Sequence, residues 1–173
     1  NLILKKTVNH IQIINNTVDH ISRLDIKFEE KDIRKFLFST RFLFQNLDRV
    51  ILFNNEFDLV GDTDTLDLDP RSFSNRLDII ELEILDKKTS KKIIETKDLN
   101  KEKTISLKDI LTNYSWSKDY GKPFTFTQEG YNQFLLTTVK NVTIDGNNIG
   151  YLAITENAND IKSAIDERKT FIL

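Results

Sequence analysis

The sequence predicts a mixed α+β fold in which helices at both ends enclose an antiparallel sheet. Three observations lead there. Apolar residues recur at helical spacing from Leu4 to Phe28, two apolar runs between Gln133 and Thr155 flank a tight turn, and a helical pattern resumes at Asn159. The 173 residues are 39% hydrophobic and 30% charged, the balance of a soluble globular chain long enough to bury one core.

In the first segment Leu4, Ile11 and Val18 lie seven apart, and Ile14, Ile21 and Phe28 form a companion seam three residues on, an a/d heptad. The spacing therefore predicts a helix of about 25 residues, roughly 37 Å long, that pairs with a second copy through Leu4, Ile11, Ile14, Val18 and Ile21. The same stripe also suits a long amphipathic helix packed on its own domain. A second helix is expected from Glu29 to Leu47, carried by Ile33, Phe36, Leu37, Phe44 and Leu47; Phe38 and Phe42 lie off that stripe, which calls for cover on much of its circumference.

Arg49 to Phe53 and Phe57 to Gly61 read as strands joined by Asn54-Asn55-Glu56. The run from Ile79 to Ile94 fits either a second hairpin or a helix end. Gln133 to Ile144 and Ile149 to Thr155 are apolar on both faces, as central strands covered on two sides would be, with a tight turn at Asp145 to Asn148. A last helix follows from Asn159, capped by Asn157 or Asn159. This order of elements is the layout of a PAS-like or Cache-like sensor: a membrane-proximal helix over 1–28, a core over 29–156 and an exit helix over 157–173.

Charge and composition narrow the function classes. A net charge of −2 provides no basic field for phosphate backbones, so nucleic acid is not an expected partner. The chain has no Cys and no Met, opens on Asn1-Leu-Ile-Leu4 and closes on Phe171-Ile-Leu173, which reads as a piece cut between two membrane spans. His10 and His20 are ten apart in one helix, about 80° out of phase, and do not jointly ligate a metal; each is assigned a structural or solvent role. No nucleophile stands beside a recognisable base and no Gly-rich phosphate loop is present, so no catalytic residues, cofactor or metal are assigned.

Two clusters remain as ligand or partner candidates. The first is acidic: Asp58, Asp62, Asp64, Asp67 and Asp69, with Arg71 at its edge. An EF-hand loop would need Gly where Asp67 stands and Glu where Phe73 stands, and a solvated turn with local Asx caps accounts for the acids more simply. The second is aromatic: Tyr114, Trp116, Tyr120, Phe124 and Phe126, read as a loop over the sheet that either plugs the core or lines a pocket, with Trp116 and Tyr120 the ligand-facing candidates.

A resemblance enters on particular residues. Asp64-Thr-Leu-Asp-Leu-Asp-Pro-Arg-Ser-Phe73, Arg76-Leu-Asp-Ile-Ile80, Ile149-Gly-Tyr-Leu-Ala-Ile-Thr155 and Asp160-Ile-Lys-Ser-Ala-Ile-Asp-Glu-Arg168 resemble the sensor region of ChvG/ExoS-type histidine kinases, from about Asp48 to the C-terminus. The resemblance implies the periplasmic domain of a two-pass inner-membrane protein; the homodimer is the expectation of the heptad seam, and a small ligand or a periplasmic regulatory protein is the expected partner. It also implies a cytoplasmic kinase core, outside this chain, that phosphorylates a response regulator. The competing readings are a chemoreceptor or cyclase sensor and a free-standing periplasmic binding module.

Overall fold

A computed structural model describes residues 1–66, 81–82, 105–130 and 133–163. Among them five strands form an antiparallel sheet, with a long helix at the N-terminus and helices on both faces.

Helix α1 (Leu2–Arg23) starts under an Asn1 cap whose side chain accepts from Ile3 N and Leu4 N. Its end is a backbone event. Asp25 adopts φ +52°, Asp25 N donates to Ser22 O and Ile26 N donates to Ile21 O, the paired bonds that close a helix through a left-handed residue. The helix is therefore shorter than the Leu4–Phe28 repeat. Phe28 lies beyond the turn, where its ring sits so close to Gly150 that a Cβ there would lie 2.6 Å from it.

Helix α2 (Glu30–Ser39) is also shorter than expected: the Thr40 and Ser39 hydroxyls both turn back to Phe36 O, and a 3-10 turn (Arg41–Phe44) follows. Ile33, Phe36, Leu37 and Phe44 are buried as the stripe requires. Phe38 and Phe42 are not covered, at 55% and 60% exposed, and the Arg41 guanidinium lies over the Phe38 ring.

The sheet runs in the order β2-β1-β7-β6-β5, made of β1 (Arg49–Asn54), β2 (Leu59–Asp62), β5 (Phe124–Gly130), β6 (Gln133–Ile144) and β7 (Asn147–Asn157). A separate pair, β3 (Glu81–Leu82) and β4 (Ile105–Ser106), leads into α3 (Leu107–Trp116). The β6–β7 hairpin turns on Asp145 and Gly146, both at positive φ, the requirement of a two-residue turn whose twist matches the strands. The helical pattern beyond β7 is present over residues 159–163. Most of the 79–94 run lies outside the described residues, with Glu81–Leu82 seen as strand.

Successive strand residues face opposite sides, so strands with apolar residues on both faces build two cores. On one face α1 and α2 cover Val50, Leu52, Leu152 and Ile154; on the other α3 covers Ile51, Phe53, Phe126, Val139 and Tyr151.

Candidate functional site

The acidic turn divides at its second member. Asp62 ends β2 and is 2% exposed; its carboxylate accepts from Arg49 Nε at 3.0 Å and Nη2 at 2.5 Å, and its Oδ1 also takes Asp64 N at 3.0 Å, capping the 3-10 turn Thr63–Thr65. Burial works against the Arg49 charge, but the Asp62 bonds outweigh it and raise the guanidinium above its ordinary value. The reading of a solvated turn thus fails for Asp62, while its Asx cap is observed. Asp64, half exposed, reaches Arg49 Nε at 3.3 Å. Asp67, Asp69 and Arg71 lie outside the described residues. No group of three or more His, Cys, Asp or Glu side chains among the described residues is placed to hold a metal ion.

The aromatic stretch is not one loop: Tyr114 and Trp116 lie on α3, Tyr120 in the turn that follows it, and Phe124 and Phe126 on β5. Ser106 Oγ accepts from Asp109 N to start α3, whose Leu107, Ile110, Leu111 and Tyr114 pack on the sheet. The Tyr114 hydroxyl donates to Lys122 O at 2.5 Å and lies 3.2 Å from Asn141 Oδ1; burial pushes it up to about 12. Its ring meets Tyr120 and, edge-on, Tyr151, which stacks on Phe57 at 5.0 Å. Phe126 is buried core, Tyr120 is a rim residue at 42% exposed, and Trp116, at 86%, stands free of the core.

The proposed pairing helix uses its seams unequally. Ile14 and Ile21 are fully buried against the sheet of their own domain, which removes them from any seam with a second copy. Val18 is partly buried against the same core, Ile11 is half-buried, and Leu4 and Val8 face outward at 61% and 47% exposed.

Sequence reasoning missed a third cluster, on the inward face of α1. His10 is 0% exposed. Its Nδ1 lies 2.8 Å from Thr138 Oγ1 on β6, and its Nε2 lies 2.7 Å from Glu156 Oε1 on β7. Thr138 Oγ1 is in turn 3.1 Å from Thr125 Oγ1 on β5, and Lys6 Nζ lies 3.4 Å from both Glu156 Oε2 and Asp160 Oδ2. A neutral ring satisfies this geometry, donating from Nε2 to the carboxylate and accepting at Nδ1 from the Thr138 hydroxyl. Burial lowers the His10 pKa below its ordinary value, against the opposing pull of Glu156.

Hydroxyl, imidazole and carboxylate have the connectivity of a nucleophile, base and orienting acid. Thr138 is 0% exposed, however, which bars a substrate from its oxygen, so the cluster holds elements together rather than performing acyl transfer. A signal for it was present: His10 falls in phase with Ile14, Thr17 and Ile21, all buried, and Lys6 precedes it by one turn. Glu156 had none, since its partner lies 146 residues away.

No protein-family model matches this chain, and no curated protein matches it.

Proposed function

We propose that this chain is the extracytoplasmic sensing domain of a membrane-bound sensor histidine kinase, with a PAS-like or Cache-like fold. It relays a stimulus to a kinase core and response regulator on the other side of the membrane. One observation carries the reading: the first turns of α1 and the helical turn 159–163 lie side by side. Ile3 packs against the cluster of Phe134, Leu136, Ala158 and Ile161, and Lys6 reaches Asp160. A domain hung between two membrane segments needs its entering and leaving helices together at one end of the sheet. The resemblance of the 149–168 residues to ChvG/ExoS-type sensors supports the same assignment.

In the homodimer the outward stripe Leu4, Val8 and Ile11 forms the contact, with Val18 at its flank. Single cysteines at Leu4 or Val8 in the membrane-embedded protein crosslink between copies, and a cysteine at Ile14 does not. Placement is tested with a cysteine at Trp116 in cells making the whole protein. A membrane-impermeant maleimide is expected to label intact cells; labelling only after lysis would overturn the extracytoplasmic assignment. A coding sequence without flanking apolar spans and a kinase core would favour a free-standing binding module instead.

A further inference from the structure

The His10 cluster joins parts of the chain that hydrophobic packing alone would leave free to slide. Ile14 and Ile21 make non-directional contacts that tolerate small axial shifts of α1. The ring of His10 does not: both nitrogens are bonded to fixed strands, and a buried polar group that loses its partner costs about 1–3 kcal/mol. Lys6 and His10 are one helical turn apart on α1, and Glu156 and Asp160 are four apart across the end of β7 and the helical turn that follows. The four side chains therefore meet as two short rows, with Glu156 shared between His10 and Lys6 and Lys6 shared between Glu156 and Asp160.

We infer that His10, Glu156, Lys6 and Asp160 form a catch that fixes α1 in one axial register against the tail of β7 and the turn 159–163, so that the two helices move as one body until it opens. Directional partners make the arrangement all-or-none. A shift of α1 by one turn, ~5 Å, breaks both ring bonds together, and a smaller shift breaks them without forming new ones. The signalling meaning of the catch rests on the sensing role proposed above: a stimulus that moves α1 relative to the exit turn must open it, and one that leaves it closed must move both helices together. The catch itself is a property of the domain and is tested without the receptor.

Spin labels on cysteines replacing Lys5 and Ser163, both exposed, report the spacing of α1 and the exit turn in the 173-residue chain. The unaltered catch is expected to give a single narrow distance distribution. His10→Leu, which keeps the apolar fit but removes both ring bonds, is expected to broaden it or add a population displaced by ~5 Å. His10→Gln, whose amide can accept from Thr138 and donate to Glu156, is expected to restore the narrow distribution. Should His10→Leu fail to fold, Glu156→Ala, which removes the acceptor that His10 and Lys6 share, gives the same reading from the other side of the contact. A distribution that stays narrow in folded His10→Leu, whatever its loss of stability, would overturn the catch. So would broadening that His10→Gln does not reverse.

Discussion

Arg49–Asp62 and His10–Glu156 sit at the same end of the sheet on opposite faces, and the chain between the partners differs more than tenfold. Arg49 stands opposite Thr155 on β7, and Glu156 is the next residue, so alternation sends the two clusters to opposite sides. The first pair is 13 residues apart and closes within the β1–β2 hairpin; the second is 146 apart and exists only when the N-terminal helix has docked on the finished sheet. Both bury charge or polarity that costs free energy unless paired. A short-range pair can secure a local turn in any state where its hairpin forms, whereas a long-range pair rewards one tertiary placement and penalises near misses. Arg49–Asp62 is accordingly a matter of stability, and His10–Glu156 chiefly one of register.

The sharpest break in that comparison is Asp62→Ala. It leaves the Arg49 guanidinium, whose side chain is 30% exposed, with only the longer Asp64 contact among the described residues, and it removes the cap on the 3-10 turn. Removing one member of a buried pair costs about 3–5 kcal/mol, and partial exposure of Arg49 brings the expected loss to about 2–3 kcal/mol. Chemical denaturation measures it. Arg49→Met combined with Asp62→Leu is expected to recover most of the loss, because an apolar pair leaves no stranded charge. A single-variant loss below about 0.5 kcal/mol would show that the pair is screened by solvent despite its geometry.

The same contrast explains which parts of the molecule were legible in the sequence. The β6–β7 hairpin was readable to within two residues because its causes are local: two apolar runs and an Asp145-Gly146 turn that only a few residue types support. The start of α1 was readable for the same reason, but its end was not. Apolar spacing carried the repeat to Phe28, and the left-handed turn at Asp25 overruled it. Helix α3 was overlooked although Ser106 three residues before Asp109 is a start signal and Ile110, Leu111 and Tyr114 keep helical spacing; the nearby Gly121 and Pro123 drew the segment toward a loop. The acidic turn was seen as a cluster, but the burial of Asp62 depends on Arg49 across the hairpin. Glu156 is the extreme case, an unremarked acid at a strand end until folding brings α1 against it.

A second, smaller effect separates the pairs by pH. The folded-state pKa of His10 lies below its unfolded value of about 6.5, so between the two the unfolded chain holds a proton that the folded chain does not. The stability contributed by neutral His10 is full above about pH 6.5 and is lost as pH falls from there toward the folded pKa, with a slope approaching about 1.4 kcal/mol per pH unit for one proton. Arg49 has no such window, being charged in both states. Denaturation midpoints measured from pH 7.5 to 5 are expected to decline in the parent chain and to decline less in His10→Gln. An equal decline in both would assign the acid sensitivity to other groups.

The smallest expected effect tests whether the Arg49 cluster is governed by burial or by charge count. Asp64 and Asp62 are two residues apart, carry the same group and both approach Arg49 Nε, at 3.3 Å and 3.0 Å. If nearness to the guanidinium decided the energetics, Asp64→Ala would cost about as much as Asp62→Ala. Burial predicts otherwise. The Asp64 side chain is 52% exposed, so water solvates the carboxylate whether or not it pairs, and an exposed ion pair contributes only about 0–1 kcal/mol. Its backbone N–H, which Asp62 Oδ1 accepts, survives truncation to alanine, so the cap on the 3-10 turn persists. Asp64→Ala is therefore expected to change stability by less than about 0.5 kcal/mol, and that change should shrink further in 1 M salt, where screening acts over about 3 Å. A loss near that of Asp62→Ala, insensitive to salt, would mean that the two carboxylates hold Arg49 as a unit and that the contrast between buried and exposed members of the turn is wrong.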